Sequence, residues 1–170
     1  MLLTGAPSVG KTTALRLALQ GLAARGARLA GFTTEEIRDR GRRRGFEGAT
    51  LDGRRAVLAD VSVRGTHRVG CYGVNLASFE EVVLEVLTPD PRVDLHVVDE
   101  IGKMECLSPR FVAAIRRLLE AGAPLLATVA ERGGGLISEV KCRPGATLLQ
   151  VTRSTREAIP DQVIGRLLVR

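Results

Sequence analysis

The stretch "GAPSVGKT" (Gly5–Thr12) lies between an apolar "LLT" and a run with helical spacing of Ala14, Leu15, Ala18, Leu19 and Leu22. It reads as Gly, four residues, Gly, Lys and Thr, a pattern met by chance on the order of once in a few hundred chains of such composition. A loop of this kind has to join a buried strand to the start of a helix. Gly5 and Gly10 let it wrap so that backbone N–H groups point inward at phosphate oxygens, and the helix adds its N-terminal partial positive charge. Lys11 brings a compact ammonium to β- and γ-phosphate oxygens, and the Thr12 hydroxyl can bind Mg2+. A planar guanidinium would not fit inside the loop. That choice stands out because 22 of the 25 basic residues are Arg, leaving only Lys11, Lys103 and Lys141 as lysines.

With 170 residues, 45% of them hydrophobic and 26% charged, the chain suits one globular domain spanning 1–170. No apolar run approaches the roughly 18 residues of a membrane span, and no leader precedes the first strand, so a cytoplasmic protein without a membrane partner is expected. Cys71, Cys106 and Cys142 are odd in number and widely spaced, which fits neither a disulfide framework nor a zinc cluster. The net charge of +6 suits an acidic ligand. The Arg bias fits a thermophile or a GC-rich genome equally well.

Further along, Ala27–Arg38 reads as a strand, and the next stretch as short β pieces broken at Gly41, Gly45 and Gly48, with Asp52-Gly53 as a hairpin turn. Arg68–Leu76 reads as one extended piece, and 77–87 as a helix with Ser78 near its start. Val93–Asp99 is a buried strand, and Ser108-Pro109 opens a helix to about Glu120 by the cap-then-proline pattern. Pro124–Ala130 and Thr147–Val151 are strands, "GGGLISEVKC" a loop with a short helix, and Ile159–Val169 a weak helix. Strands alternating with helices predict an α/β fold with a mainly parallel sheet and a β-rich insertion after the second strand.

"VVDEIGKME" (Val97–Glu105) supplies the second half of a phosphate site. Asp99, closing an apolar strand, is the expected metal-side carboxylate, with Thr12 its partner. Glu100 emerges at the strand edge where α/β sheets bind ligands and can take a proton from a water facing the γ-phosphate. Lys103 suits either the γ-phosphate or an ion pair with Glu105. Thr33, Thr34, Glu35 and Glu36, read as the end of the second strand, can help position water or Mg2+.

Together, "LTGAPSVGKTT", "GFTTEEIRDRGRRRGFEG", "VVDEIGKME" and "VTRSTR" resemble the small P-loop nucleoside-triphosphatase family of archaea, bacteria and animals, over essentially the whole chain. The resemblance implies a RecA-like P-loop fold, a monomer, and Mg2+-dependent hydrolysis of several nucleoside triphosphates. It further implies two nucleotide-contacting segments. One is Gly5, Ala6, Pro7, Ser8, Val9, Gly10, Lys11 and Thr12, with the adjoining Thr13. The other is Leu95, His96, Val97, Val98, Asp99, Glu100, Ile101 and Gly102. Lys11 and Glu100 would be the catalytic pair. Cys106 departs from the aliphatic residue usual after "ME" and is expected to alter packing rather than chemistry.

Other signals are weaker. "RDRGRRR" (Arg38–Arg44) holds five arginines in seven residues and reads first as a solvated hairpin. Nucleotide or nucleic acid contact is the lesser alternative, since no Trp and one Tyr leave few stacking platforms. Arg132, Arg143 and Arg156 follow late strands, from which a finger or base-side contact is possible. His67 and His96 lack partner ligands and read as structural. Two other function classes stay open: a phosphotransferase acting on a nucleotide, nucleoside or polynucleotide end, and a nucleotide-switched binding protein.

Overall fold

The computed structural model describes residues 1–168. In chain order its strands are β1 (Leu2–Gly5), β2 (Leu29–Asp39), β3 (Arg42–Thr50), β4 (Arg55–Asp60), β5 (Arg68–Val69), β6 (Tyr72–Val74), β7 (Leu95–Ile101), β8 (Leu125–Ala130) and β9 (Leu148–Gln150). The helices are α1 (Lys11–Ala23), α2 (Leu76–Val86), α3 (Pro109–Glu120), α4 (Leu136–Cys142) and α5 (Ile159–Leu168). All strands join one sheet in the order β5-β6-β4-β3-β2-β7-β8-β1-β9. The segment from β2 to β9 is parallel, as alternating strands and helices require, and β1 lies between β8 and β9. Flanked on both sides, a strand of only four residues is wholly buried.

Each face of the sheet carries an apolar layer. On one, α2, α3 and α4 cover Phe32, Val98, Ile101 and Val129. On the other, α1 and α5 cover Leu3, Val97, Leu126 and Leu149. Helix α3 shows why such residues choose a helix: Phe111, Ala114, Ile115 and Leu118 repeat at one face. Its start is set by the Ser108 side chain, which accepts from the Phe111 N–H at 3.0 Å, with Pro109 just inside.

Several expectations change. β3 runs unbroken through Gly45 and Gly48, and only Gly41 falls in a turn. Gly45 serves close packing: a Cβ there would lie 2.2 Å from the Ala59 carbonyl oxygen of β4. The piece 68–76 is not one strand: 68–74 form a tight hairpin, β5 against β6, and Leu76 already opens α2. Helix α2 is capped by Asn75, whose side chain accepts from the Ser78 N–H at 3.2 Å. β2 outruns its parallel partner. It pairs with β7 only as far as Phe32–Val98 and then continues with antiparallel β3 to Asp39, so Thr33–Glu36 lie within the strand and not at its end. The β-rich insertion thereby extends the main sheet. Of the expected last helix, Val169 lies outside the described residues. No helix among the described residues is long and apolar enough to cross a membrane.

Candidate active site

The carboxyl ends of β1, β7 and β8 meet at one sheet edge, the edge at which α/β sheets gather ligands. There the chain leaves β1, wraps through Ala6–Gly10 and enters α1 at Lys11. Gly10 holds φ 109° at the helix cap, which any side chain would strain. Lys11 is buried. Its Nζ donates to the Gly5 carbonyl at 3.1 Å and lies 3.7 Å from Glu100 Oε2. The lysine is thus folded back into its own loop and aimed at the tip of β7.

That tip is irregular. Val98 pairs with Ala127, but Ile101 pairs with Val129, so β7 spends one residue more than β8 over the same interval. Such a bulge re-aims side chains, and Asp99 and Glu100, adjacent in sequence and joined by a cis peptide bond, both serve this edge. Asp99 is fully buried, with Thr128 Oγ1 donating to Oδ1 and Thr34 Oγ1 donating to Oδ2 at 3.5 Å. Burial raises its pKa, and the hydroxyls of Thr128 and Thr12 pull the other way. Burial likewise raises the Glu100 pKa, while the Lys11 ammonium opposes the rise and the Asp99 charge adds to it. The donor set around Thr12 and Asp99 is all oxygen, the kind a hard cation takes.

A cavity of about 460 Å³ opens on the Lys11–Glu100 pair. Phe46, Val69 and Met104 form an apolar wall, and Lys103 and Arg132 bring positive charge. Glu105 also lines it, although only 5% exposed, and burial pushes its carboxyl up to about 8, the nearby Glu100 and Asp99 charges adding to the rise. Behind the wall, Lys141 donates to the Ala130 carbonyl at 2.5 Å and the Glu131 carbonyl at 2.9 Å, holding the end of β8. All three lysines of the chain therefore gather at this edge. A larger hollow, about 830 Å³, opens between Leu22, Asp94, Ala123 and Leu167 at the opposite edge, where the parallel strands begin and no phosphate cradle lies.

The expected residues divide accordingly. Gly5, Gly10, Lys11, Thr12, Asp99, Glu100 and Gly102 come together, and the exposed Ala6, Pro7 and Ser8, with Val9 and Thr13, border the loop. Leu95, His96, Val97 and Val98 are enclosed in the body of β7. Leu95 faces the opposite hollow, and His96 Nε2 lies 3.2 Å from the Thr88 carbonyl. Ile101 is core. Among the described residues no ion pair joins Lys103 to Glu105. Glu35 is held by Arg16 and Arg55, and Glu36 by Arg38 and Arg43, so neither faces the cradle unpaired. Arg143 caps α3 through the Leu119 carbonyl at 2.7 Å, whereas Arg132 lines the cavity. Burial pushes the Cys106 thiol up to about 12, in keeping with a packing role. Sequence reasoning did not single out Thr128, Lys141 or Phe46 as site residues. The scarcity of lysine was the one available signal, and it pointed to Lys141.

Relatives match this chain over nearly its whole length. The human protein named cancer-related nucleoside-triphosphatase is 39% identical over 176 aligned residues, covering 95% of this chain and 93% of its own. Nucleoside-triphosphatase THEP1 of Thermotoga petrophila is 34% identical, with 96% and 90% covered. The crystal structure of THEP1 from the hyperthermophile Aquifex aeolicus superposes with a TM-score of 0.86 at 32% identity, covering 98% of both chains. A model of the NTPase family matches residues 1–164, and with this P-loop NTPase architecture the chain belongs to that family.

Proposed function

We propose that residues 1–170 act as one domain that hydrolyses the β–γ anhydride of nucleoside 5'-triphosphates, with Mg2+ and with little regard to the base. The observation carrying this reading is the Lys11–Glu100 pair, 3.7 Å apart at the mouth of the phosphate loop with Asp99 buried behind it. Thr12 and Asp99 would hold Mg2+, Asp99 through water. When bound, that ion neutralises charge on the β- and γ-phosphate oxygens.

The chain's own groups do the rest. Backbone N–H groups of the loop and the Lys11 ammonium hold the triphosphate and stabilise charge gathering on the leaving oxygen. Because the triphosphate draws Lys11 to itself, the Glu100 carboxylate is left to a water. Its raised pKa brings it closer to neutrality, where a base works best. As the water oxygen attacks the γ-phosphorus, its proton passes to Glu100, the bridging P–O bond breaks, and nucleoside diphosphate and phosphate leave. The apolar wall of Phe46, Val69 and Met104 beside Glu100 supports a second reading, transfer to an acceptor hydroxyl in place of water.

One assay separates these readings. Phosphate release is followed with ATP, GTP, CTP and UTP, with and without nucleoside or nucleotide acceptors, in the parent and in Glu100→Gln. The Gln variant should bind nucleotide as well or slightly better and turn over about 10²–10⁴ more slowly, roughly 3–5 kcal/mol of barrier. The four values of kcat/KM should lie within about tenfold. Hydrolysis by Glu100→Gln within fivefold of the parent would remove Glu100 as base, and a phosphorylated acceptor would favour transfer.

A further inference from the structure

The segment "VTRSTR" (Val151–Arg156) after β9 rests on both glycines of the phosphate loop. A Cβ at Gly5 would stand 2.3 Å from the Val151 carbonyl oxygen, and one at Gly10 would stand 3.4 Å from Arg156 Cδ. The segment is pinned in place. Val151 N–H donates to the Thr4 carbonyl at 2.7 Å, Thr155 Oγ1 to the Gln150 carbonyl at 3.1 Å, and Arg156 N–H to the Thr152 carbonyl at 3.0 Å. The stem of Arg156 is therefore anchored on Gly10. Its residue is exposed, and its guanidinium has no hydrogen bond or ion pair among the described residues.

Topology says which part of a ligand this guanidinium faces. Asp99 and Glu100 lie on one flank of β1, across β8, while β9 lies on the other. A triphosphate with its γ end at Lys11 and Glu100 runs back over the start of α1, so its nucleoside leaves on the β9 side. No aromatic ring is placed to receive it there. Phe32, Phe79 and Phe111 pack together in the core, and Phe46 and Tyr72 pair at the cavity on the γ side. We propose that Arg156 forms the nucleoside subsite, its planar guanidinium stacking on the base. A delocalised cation stacks on any base without reading its edge, so this contact would make the site indifferent to base identity. The inference rests on the triphosphatase reading above.

The test measures kcat and KM for ATP, GTP, CTP and UTP in the parent, Arg156→Ala and Arg156→Lys, together with inhibition by inorganic tripolyphosphate, which has no base. Arg156→Ala should raise all four KM values about tenfold, as loss of one stacking partner does, purines at least as much as pyrimidines, with kcat within threefold. Arg156→Lys should recover little, because an ammonium has no planar face. Tripolyphosphate inhibition should change by less than twofold. Unchanged KM values, full recovery by lysine, or weaker tripolyphosphate inhibition in step with KM would overturn the proposal, the last by placing the guanidinium on phosphate. An active parent matched by Arg156→Ala would sink only this inference. A parent that hydrolyses none of the four would sink the triphosphatase reading, and this one with it.

Discussion

Asp60 and Glu105 expose similarly little surface, 6% and 5%, yet Asp60 lies shallow beneath its own partners with its carboxyl lowered to about 2, whereas Glu105 lies deep and burial pushes its carboxyl up to about 8. What covers each acid, and how deeply, sets its chemistry. Asp60 lies in the antiparallel extension, where Arg44 grips it with two bonds, at 2.8 and 3.1 Å, and Ser62 donates through N–H and hydroxyl. Glu105 lies at the parallel half's ligand edge, with no cation paired to it among the described residues and two further carboxylates nearby. The same division holds for neighbours: Glu35 and Glu36, on the outer part of β2, are lowered by arginines, whereas Asp99 and Glu100 are raised by burial. In one half acids are fixed as anions that hold a sheet together. In the other they are kept out of water, with a lysine paired only to Glu100, and burial raises all three carboxyls.

The sharpest way to break this contrast is to remove the one cation paired with a buried acid of this half, Lys11 on Glu100. Lys11→Ala should weaken triphosphate binding and lower turnover together, by on the order of 10³ or more, about 4 kcal/mol. Lys11→Arg should restore little. Nucleotide titration beside phosphate release checks both, and near-normal activity in the Arg variant would mean that the loop tolerates a wider head than its geometry allows.

Glu105→Gln tests the buried acid. A carboxyl raised from 4.5 to about 8 in the folded chain favours folding at low pH, and that stability is lost as pH rises through this interval. Thermal melts should show the parent losing stability between pH 5 and pH 9, on the order of a few kcal/mol, with the Gln variant much flatter. Parallel pH profiles for the two would show that Glu105 does not carry the dependence.

Arg44→Ser probes the other half, with the smallest expected effect. It should lower the melting temperature at pH 7 only slightly, since the arginine itself is half exposed. Asp60 is depressed from 3.8 to about 2, so its contribution is present above pH 3.8 and lost as pH falls through about 2. The gap between variant and parent should close over the same interval. Hydrolysis should stay within threefold, under about 0.7 kcal/mol. A larger loss of turnover would tie the extension to the chemistry through Phe46, over which Arg43 lies.

What was legible in the chain was local. The phosphate loop, the strand ending near Asp99, the Asp52-Gly53 turn and the Ser108-Pro109 helix start each depend on residues a few positions apart, so spacing revealed them. The continuation of β2 to Arg38 was read as well, but its change of partner from β7 to β3 beyond Phe32 was not, because nothing in "TTEEIRD" announces it. The bulge at Asp99-Glu100 depends on how β8 pairs. Burial of Glu105 was hidden for a like reason, since in the sequence it reads as an ion-pair partner for Lys103, and only the fold closes over it. Arg38–Arg44 read correctly as a hairpin, but the acids that pair with Arg44 and Arg43 lie on other strands.

The position of β1 bears on how the molecule comes to be assembled. This strand leads directly into the phosphate loop and is made well before both its neighbours, β8 and β9, which lie far downstream in the chain. Its backbone partners are absent through most of synthesis, and contacts of such long separation form slowly. The extension from β2 to β6, with its sequential hairpins, can pair long before. The phosphate loop thus gains its neighbouring strands only after the extension can pair, and a product cut short before β9 would carry the whole "GAPSVGKT" stretch without the strand that flanks it.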